Sequence, residues 1–182
     1  MIYVFLANGF EEIEAFTPVD LLLRAGHEVK TVAIGCENDV KVVGAHGIEV
    51  IANLRESDFC DTAPSVVILP GGMPGTLNLG NSATVLSAIQ DCAAHGGLLC
   101  AICAAPSVLG KAGLLAGKRA TCFPGFEDQL DGAILADTRV VRDGNIITAA
   151  GMGVALDFGL ELVSALRGKD AADELRHAVL AN

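Results

Sequence analysis

The sequence predicts an α/β fold in which a mostly parallel sheet is covered by helices on both faces. Continuous apolar runs rich in β-formers, such as IYVFLAN at 2–8, are typical of strands buried on both faces. Segments with helical spacing alternate with these runs, and glycines stand where the runs stop. This alternation favours a parallel sheet, whose ligands bind beyond the carboxyl ends of the strands. Because no repeat or linker interrupts it, we expect one domain over residues 1–182.

In the first half of the chain, strands and helices follow in the order that such a sheet requires. Gly26 ends the first helical pattern, and Pro18 should bend or interrupt that helix. A turn at His46 and Gly47 separates two short apolar runs. The predicted elements are a strand at 2–8, a helix at 9–26, a strand at 27–35, and short strands at 41–44 and 48–54.

The second half continues the alternation. Pro106 stands where the first turn of a helix tolerates proline, and Asp143-Gly144 is typical of a hairpin turn. The predicted elements are a strand at 65–76 that ends in a glycine turn, a helix at 82–96, a strand at 97–102, a helix at 104–115, a strand at 119–123, a hairpin at 138–150, and helices at 153–168 and 169–180.

Composition narrows the class of protein. The 182 residues are 52% hydrophobic and 19% charged, which indicates a compact globular chain. The formal net charge of −10 disfavours nucleic acid and anionic membrane surfaces as partners. No signal-peptide pattern appears, no apolar run approaches the roughly 20 residues that span a bilayer, and the six cysteines show no disulfide framework. We therefore expect a cytoplasmic protein without a membrane segment.

Cys103 is the candidate nucleophile, because it lies between a buried strand and a helix at the predicted carboxyl edge. Unpaired N–H groups and the positive dipole end of the helix favour a thiolate there and predict a lowered pKa. A sharp strand-to-helix turn would also push the side chain out of the sheet. Most cysteines are small core residues, but the position favours function.

The other cysteines have simpler interpretations. Cys100 and Cys103 form a C-x-x-C pattern, but three residues of strand span roughly 10 Å, whereas bonded cysteines need Cα atoms within about 7 Å. Cys100 is therefore predicted to lie in the core. Cys122 lies near the end of a strand that could flank the site, where packing is the favoured interpretation and a second thiol in reach is the alternative.

Acidic and glycine-rich segments supply the other candidate groups. Glu14 lies among apolar residues, which would raise its pKa and suit it to move protons beside the thiol. Gly71 and Gly72 end a buried strand, where N–H groups could stabilise an oxyanion or simply form a turn. The four histidines show no metal-ligand spacing, and no phosphate-binding glycine motif follows the first strand, so we expect no metal or cofactor.

Together these segments make the chain resemble the DJ-1/PfpI superfamily, specifically its DJ-1/ThiJ-like branch. The resemblance rests on GFEEIE at 9–14, TPVDLLLRAG at 17–26, VVILPGG at 66–72, AICAAP at 101–106 and ALDFGLELVSAL at 155–166. It implies a flavodoxin-like three-layer sandwich, a homodimer, a reactive Cys103 hydrogen-bonded by Glu14, and oxyanion donors at Gly71, Gly72 and Ala104.

The chain departs from the family pattern at three places. Many relatives place a histidine beside the cysteine, and the corresponding residue here is Phe123. His46 falls near a position where relatives often carry arginine, and the S-x-G-P-G segment is AAGMG at 149–153. Without that histidine the obvious base of a Cys-His dyad is missing, which weakens a peptidase interpretation most.

Two functions fit these residues. The first is a glyoxalase-III-like or deglycase-like enzyme that converts small α-oxoaldehydes such as methylglyoxal to hydroxy acids through a hemithioacetal on Cys103, with Glu14 shuttling a proton. The second is a non-catalytic redox sensor or oxidative-stress protein, in which an exposed thiol at Cys103 oxidises to sulfenic and then sulfinic acid.

Overall fold

The computed structural model describes residues 1–36 and 39–181 and shows an α/β fold. Its strands are β1 (Ile2–Ala7), β2 (Val29–Ile34), β3 (Lys41–Val43), β4 (Glu49–Ile51), β5 (Leu54–Arg55), β6 (Val66–Leu69), β7 (Leu98–Ile102), β8 (Arg119–Ala120), β9 (Ile134–Leu135), β10 (Val140–Asp143) and β11 (Ile146–Ala149). Its helices are α1 (Glu12–Arg24), α2 (Gly75–Asn81), α3 (Ala83–Ala94), α4 (Pro106–Lys111), α5 (Ala155–Arg167) and α6 (Lys169–Ala178).

The central sheet has seven strands in the order β10-β11-β7-β6-β1-β2-β5. All neighbouring pairs are parallel except β10 and β11, which form the predicted antiparallel hairpin. Every residue of β1, β6, β7 and β11 is buried, as expected for strands covered on both faces. The predicted fold class, a mostly parallel sheet between two helical layers, is therefore confirmed.

Alternate residues of each central strand pack into different cores. In β1, Val4 and Leu6 face the layer that contains α1 and α5, where Phe158 is fully buried. Phe5 and Ala7 face the opposite layer, which contains α3 and α4. Because strand side chains alternate with a period of two, one apolar run fills both cores.

Pro18 does not interrupt helix α1, contrary to that part of the prediction. The helix continues through this residue without interruption, although Pro18 has no N–H to donate to the carbonyl of Glu14. Pro18 is buried against α5 at Gly159, where a Cβ would stand 3.1 Å from the Pro18 Cα atom and 2.5 Å from Cδ1 of Leu21. Packing of α1 on α5 therefore holds the helix together across the missing hydrogen bond.

Three other boundaries differ from the predictions. The strand expected at 119–123 is only Arg119–Ala120, and it pairs with β9 outside the central sheet. Helix α4 ends at Lys111, and α2 was not predicted, since its sequence GTLNLGN lacks a strong helical pattern. No helix in the described parts of the chain has the length and apolar character needed to cross a membrane.

Candidate active site

Cys103 lies at the junction between β7 and α4, and its backbone has a φ of 64°. This left-handed conformation is uncommon for a residue with a Cβ, and such strain is typical of functional turns. Two hydrogen bonds hold the turn, because the Cys103 N–H donates to the Ala149 carbonyl at 2.9 Å and its carbonyl accepts from the Phe123 N–H at 2.8 Å. The thiol is thereby turned out of the sheet, as predicted for a strand-to-helix elbow.

Glu14 meets Cys103 from the first turn of α1. Glu14 is 1% exposed, and its carboxyl lies next to the Cys103 side chain. The Gly71 N–H donates to Oε2 of Glu14 at 2.9 Å. A Cβ at position 71 would stand 2.5 Å from that oxygen and 2.6 Å from Cβ of Cys103, so glycine is needed for the approach. The structure therefore brings together three residues that are far apart in the sequence.

Burial raises the pKa of the Glu14 carboxyl to about 7. Hydrogen bonds from the Cys103 thiol and the Gly71 N–H oppose this rise, and the negative charge of Glu11 adds to it. A carboxyl that titrates near neutrality is suited to accept and return protons. The sequence-based prediction of a raised pKa at Glu14 agrees with this direction.

The predicted lowering of the Cys103 pKa is wrong. The pKa of the thiol is raised to about 12, mainly by burial and in addition by the neighbouring Glu14 carboxylate. The N–H groups of Ala104 and Gly72 lower the pKa as expected from the helix terminus, but burial and the carboxylate outweigh them. At neutral pH the sulfur is therefore held as a thiol next to the Glu14 carboxyl.

The expected oxyanion donors divide into two groups. The Gly71 N–H is engaged by the Glu14 carboxyl, so it orients the acid. The N–H groups of Gly72 and Ala104 are directed towards the Cys103 sulfur. Gly72 has a φ of 88°, and a Cβ there would collide with the Gly9 carbonyl oxygen at 2.5 Å. Two of the three predicted donors therefore face the sulfur, and the third is taken by Glu14.

His46 faces the acidic turn at the start of α1. Its Nδ1 lies 2.7 Å from Oε2 of Glu12, and its backbone N–H donates to Oε1 of the same residue at 2.9 Å. This hydrogen bond and the Glu12 charge raise the pKa of His46. Burial opposes the effect on Glu12, but the two hydrogen bonds from His46 leave the pKa of Glu12 lowered. His46 therefore clamps the hairpin of β3 and β4 onto α1.

One group of side chains in the described residues has metal-ligand geometry. Ligand atoms of Glu11, Glu12 and His46 lie within 4.8 Å of one another. The His46 nitrogen is already hydrogen-bonded to Glu12, and this contact accounts for the cluster without an ion. The cluster adds negative charge close to Glu14.

Phe123 contacts Cys103 through its backbone N–H and has an exposed side chain, whereas its neighbour Cys122 is buried. The Phe123 side chain is 47% exposed, whereas Cys122 is buried and burial raises its pKa to about 11. A Cβ at Gly151 would stand 3.2 Å from Cδ2 of Phe123 and 4.0 Å from Oε1 of Glu14, which places the ring close to the carboxyl. The interpretation of Cys122 as a packing residue is the one that agrees with its burial.

Sequence reasoning missed two methionines at this site. Met73 follows Gly72 and is 48% exposed, and Met152 is 54% exposed. The Met152 N–H hydrogen-bonds with the Glu14 carboxyl. We call Met73, Phe123 and Met152 the apolar rim. The two methionines lie in the glycine segments 71–75 and 151–153, and this signal is one that a search for reactive groups alone overlooks.

Cys100 is fully buried in β7, as predicted, and burial raises the pKa of its thiol far above the usual range. All six cysteines are free thiols, and Cys60 is exposed. A disulfide between Cys100 and Cys103 is therefore absent from this structure, in agreement with the strand geometry.

The DJ-1/PfpI family profile matches residues 1–165. The chain belongs to this family. Protein dj-1beta of Drosophila melanogaster is 37% identical over 185 residues, which covers 97% of this chain and 95% of that protein. A crystal structure of a mutant of the DJ-1 superfamily protein STM1931 from Salmonella typhimurium matches with a TM-score of 0.93 and 33% identity, covering 100% of this chain and 98% of that one. The flavodoxin-like DJ-1/PfpI sandwich implied by the resemblance is thereby confirmed.

Other relatives differ in length and in name. Protein DJ-1 homolog B of Arabidopsis thaliana is 38% identical over 172 residues. The match covers 93% of this chain but only 39% of that longer relative. The Caenorhabditis elegans protein DJR-1.2 is named a glutathione-independent glyoxalase and is 31% identical over 167 residues, covering 91% of this chain and 87% of that protein. The family is therefore established, and the activity of this chain is a separate question.

Proposed function

We propose that this protein is a cofactor-free, glyoxalase-III-like or deglycase-like enzyme that converts α-oxoaldehydes such as methylglyoxal to hydroxy acids. The observation that carries the proposal is the contact of Glu14, with a pKa of about 7, against the thiol of Cys103. The glyoxalase name of the 31% identical DJR-1.2 supports the same substrate class. Phe123 in the usual histidine position leaves Glu14 as the base.

The first step forms a carbon–sulfur bond. The Cys103 sulfur attacks the aldehyde carbon while its proton passes to the Glu14 carboxylate, since a thiol with a pKa of about 12 needs a base. The carbonyl π electrons move to the aldehyde oxygen, which the N–H groups of Gly72 and Ala104 stabilise. Glu14 then returns the proton to that oxygen and gives a neutral hemithioacetal.

The second step is an internal redox change that needs no cofactor. The Glu14 carboxylate removes the hydrogen on the former aldehyde carbon as a proton, and the electron pair forms an enediolate with the adjacent carbonyl. The proton returns to the adjacent carbon, while the hydroxyl on the former aldehyde carbon gives its proton to the enediolate oxygen and becomes the carbonyl of a 2-hydroxy thioester. One carbon is thereby oxidised and its neighbour reduced. Water then cleaves the carbon–sulfur bond, releases the hydroxy acid and restores the Cys103 thiol.

The decisive experiment is lactate formation from methylglyoxal by wild type, Cys103→Ser and Glu14→Gln. We expect both variants to lose at least about 100-fold in kcat/KM, as expected for removing a nucleophile or its proton acceptor. Cys60→Ser is the matched control, because this thiol is exposed and distant in sequence from the site, and it should retain the wild-type rate. Equal activity in wild type and Cys103→Ser would remove Cys103 from the mechanism.

A redox sensor is the second candidate function, favoured by the partly exposed thiol at a strained turn. Peroxide would oxidise the sulfur to sulfenic acid with release of water, and a second equivalent would give sulfinic acid. A protonated Glu14 would donate a hydrogen bond to the oxidised sulfur. The raised thiol pKa ranks this function below the enzyme, because a sensor depends on standing thiolate.

Mild peroxide followed by peptide mass analysis tests the sensor. If Cys103 takes up oxygen before the exposed Cys60, the sensor function gains support. If Cys60 is oxidised first, the sensor function fails, whatever the outcome of the methylglyoxal assay.

The remaining features of the proposal concern assembly and location. We propose a single DJ-1/PfpI-like domain over residues 1–182 that forms a homodimer, acts in the cytoplasm on small carbonyl compounds, and binds neither nucleic acid nor membranes. The net charge of −10 supports the last point. Peptidase activity is less favoured, since Phe123 offers no base to a Cys-His dyad.

A further inference from the structure

Three exposed apolar residues lie close in the chain or by backbone contact to Cys103 and Glu14. Phe123 and Met152 contact this pair through their own backbone N–H groups, and Met73 follows Gly72 in the chain. Met73 follows the Gly72 N–H that is directed to the sulfur, the Phe123 N–H donates to the Cys103 carbonyl, and the Met152 N–H hydrogen-bonds with Glu14. Exposures of 47–54% leave these large side chains free to contact a bound molecule. An apolar substituent bound next to Glu14 would therefore have the Phe123 ring as a partner, with the methionines nearby in the chain.

The charges around the same opening are mostly negative. Glu11, Glu12 and Glu14 lie in one turn of chain, with side-chain exposures of 19% and 10% for the first two. Within the described residues, none of these carboxylates forms a salt bridge with lysine or arginine, and His46 is their basic neighbour. A substrate with its own carboxylate would enter a field of the same sign.

The guanidinium of Arg139 brings a positive charge close to the apolar rim. Nη2 of Arg139 lies 3.2 Å from where a Cβ of Gly153 would stand, next to Met152. It forms no salt bridge with Glu11, Glu12 or Glu14 among the described residues. Arg139 is a single cation near three clustered acidic residues, and the experiment below tests its effect directly.

We infer that this site prefers uncharged α-oxoaldehydes with an apolar, aromatic substituent and rejects those that carry a carboxylate. The inference deepens the proposed function and rests on it for turnover. Phe123 is the specificity-determining residue, because its ring is exposed beside the Glu14 carboxyl. Glu11 is the residue that repels anions, because it contributes charge at Glu14 without being the carboxyl that contacts the thiol.

Turnover of three related substrates tests the preference. We expect kcat/KM for phenylglyoxal to exceed that for methylglyoxal by about 2–10-fold, the range expected for an aromatic pair. 4-Carboxyphenylglyoxal should be slower than phenylglyoxal by roughly 5-fold at low salt, with the gap narrowing as salt rises. Phe123→Ala should abolish the aromatic preference, and Glu11→Gln should narrow the charge discrimination. Ile51→Ala, an exposed apolar residue of β4, is the matched control and should change neither ratio.

Alkylation of Cys103 gives a readout that does not need catalysis. For Cys103, we compare the rate of labelling by iodoacetamide with the rate of labelling by iodoacetate. Divided by the same ratio for N-acetylcysteine, this ratio should be roughly 5, and it should fall in Glu11→Gln. N-phenylmaleimide should be favoured over N-ethylmaleimide, again relative to N-acetylcysteine, and Phe123→Ala should remove that preference.

The outcomes separate the two claims. Selective alkylation without turnover of any oxoaldehyde would overturn the proposed enzyme and support the preference of the site. Cys103-dependent turnover with neither preference would support the enzyme and overturn this inference. Iodoacetate labelling as fast as iodoacetamide labelling, and slowed by Arg139→Gln, would show that the guanidinium serves anions and would also overturn it.

Discussion

At the scale of single residues, Glu14 and Cys103 form one proton-sharing unit. Burial disfavours the charged form of each, and the carboxyl, with a pKa of about 7, ionises long before the thiol, with a pKa of about 12. The pair therefore carries at most one negative charge at neutral pH, on Glu14. This explains why the proposed attack by sulfur is assisted by a base instead of starting from a free thiolate.

Glu14→Gln tests this burial through the pH dependence of stability. The folded protein holds the Glu14 proton more tightly than the unfolded chain, whose carboxyl titrates near 4.5. The unfolded chain therefore loses the proton first as pH rises, and the wild type should lose about 3 kcal/mol of unfolding free energy relative to the variant between pH 4.5 and 7. Urea unfolding across this range measures it, and parallel curves for the two proteins would contradict the raised pKa.

At the scale of elements, helix α1 is fixed by two contacts that also fix Glu14. One is the packing of Pro18 and Leu21 against Gly159 of α5. The other is the clamp between Glu12 and His46, in which the Glu12 side chain crosses the backbone of the β3–β4 hairpin at Gly44 so closely that a Cβ there would overlap the carboxylate. The position of the proposed base thus depends on two neighbouring elements.

Gly159→Ala tests the first contact. The added Cβ would stand 2.5 Å from Cδ1 of Leu21 and 3.1 Å from Cα of Pro18, so we expect a loss of about 1–3 kcal/mol in stability from overpacking. Gly80→Ala in α2 is the matched control, since its Cβ would meet Val108 Cγ2 at an ordinary 3.5 Å. Chemical denaturation should separate the two variants. Equal stabilities would show that α1 and α5 are not closely packed here.

His46→Ala tests the second contact by its pH window. His46 has a raised pKa, so its contribution to stability is full below the unfolded value of 6.5 and is lost as pH rises through the folded value. Glu12 has a lowered pKa, so its contribution is present above the unfolded value of 4.5. The melting temperature should fall most between about pH 4.5 and 6.5 and least at alkaline pH. His177→Ala, at an exposed position of α6, is the surface control variant.

At the scale of the whole molecule, the parallel sheet gathers the site at its carboxyl edge. β1 leads to Glu14, β6 to Gly71 and Gly72, and β7 to Cys103, and these three strands are adjacent in the sheet. Parallel strands that lie side by side bring their following loops together, whatever their separation in sequence. The proposed enzyme therefore depends on strand order as much as on the identity of its reactive residues.

The proposed homodimer would use an exposed apolar face of α1. Ile13 is 49% exposed on α1 and lines an apolar depression with Phe16, Leu156 and Val179. If this face joins two copies, Ile13→Glu should shift the mass in solution from twice the chain's 18.7 kDa to the single value. Leu23→Glu, on an equally exposed leucine of the same helix, is the control and should leave the dimer intact. Sedimentation of the two variants at one mass would contradict this interface.

The fold class follows from local patterns alone, namely continuous apolar strands, amphipathic helices and glycine stops. The sequence also located Cys103 and Glu14 as residues of interest and placed Cys100 in the core. The hairpin at Asp143-Gly144 followed from turn chemistry alone.

The ionisation of the site, the role of Pro18 and the apolar rim depend on the packing of distant segments in the folded chain. The pKa of Cys103 depends on how far sulfur is buried and on a carboxylate 89 positions earlier in the chain, and local sequence reports neither. Pro18 stays helical because α5 packs against it. Met73, Phe123 and Met152 reach the same edge of the sheet because β6 and β11 flank β7 and the Phe123 N–H bonds to the Cys103 carbonyl. Local sequence patterns determine where helices and strands form, whereas the burial of a side chain and the charges around it arise from contacts between distant segments.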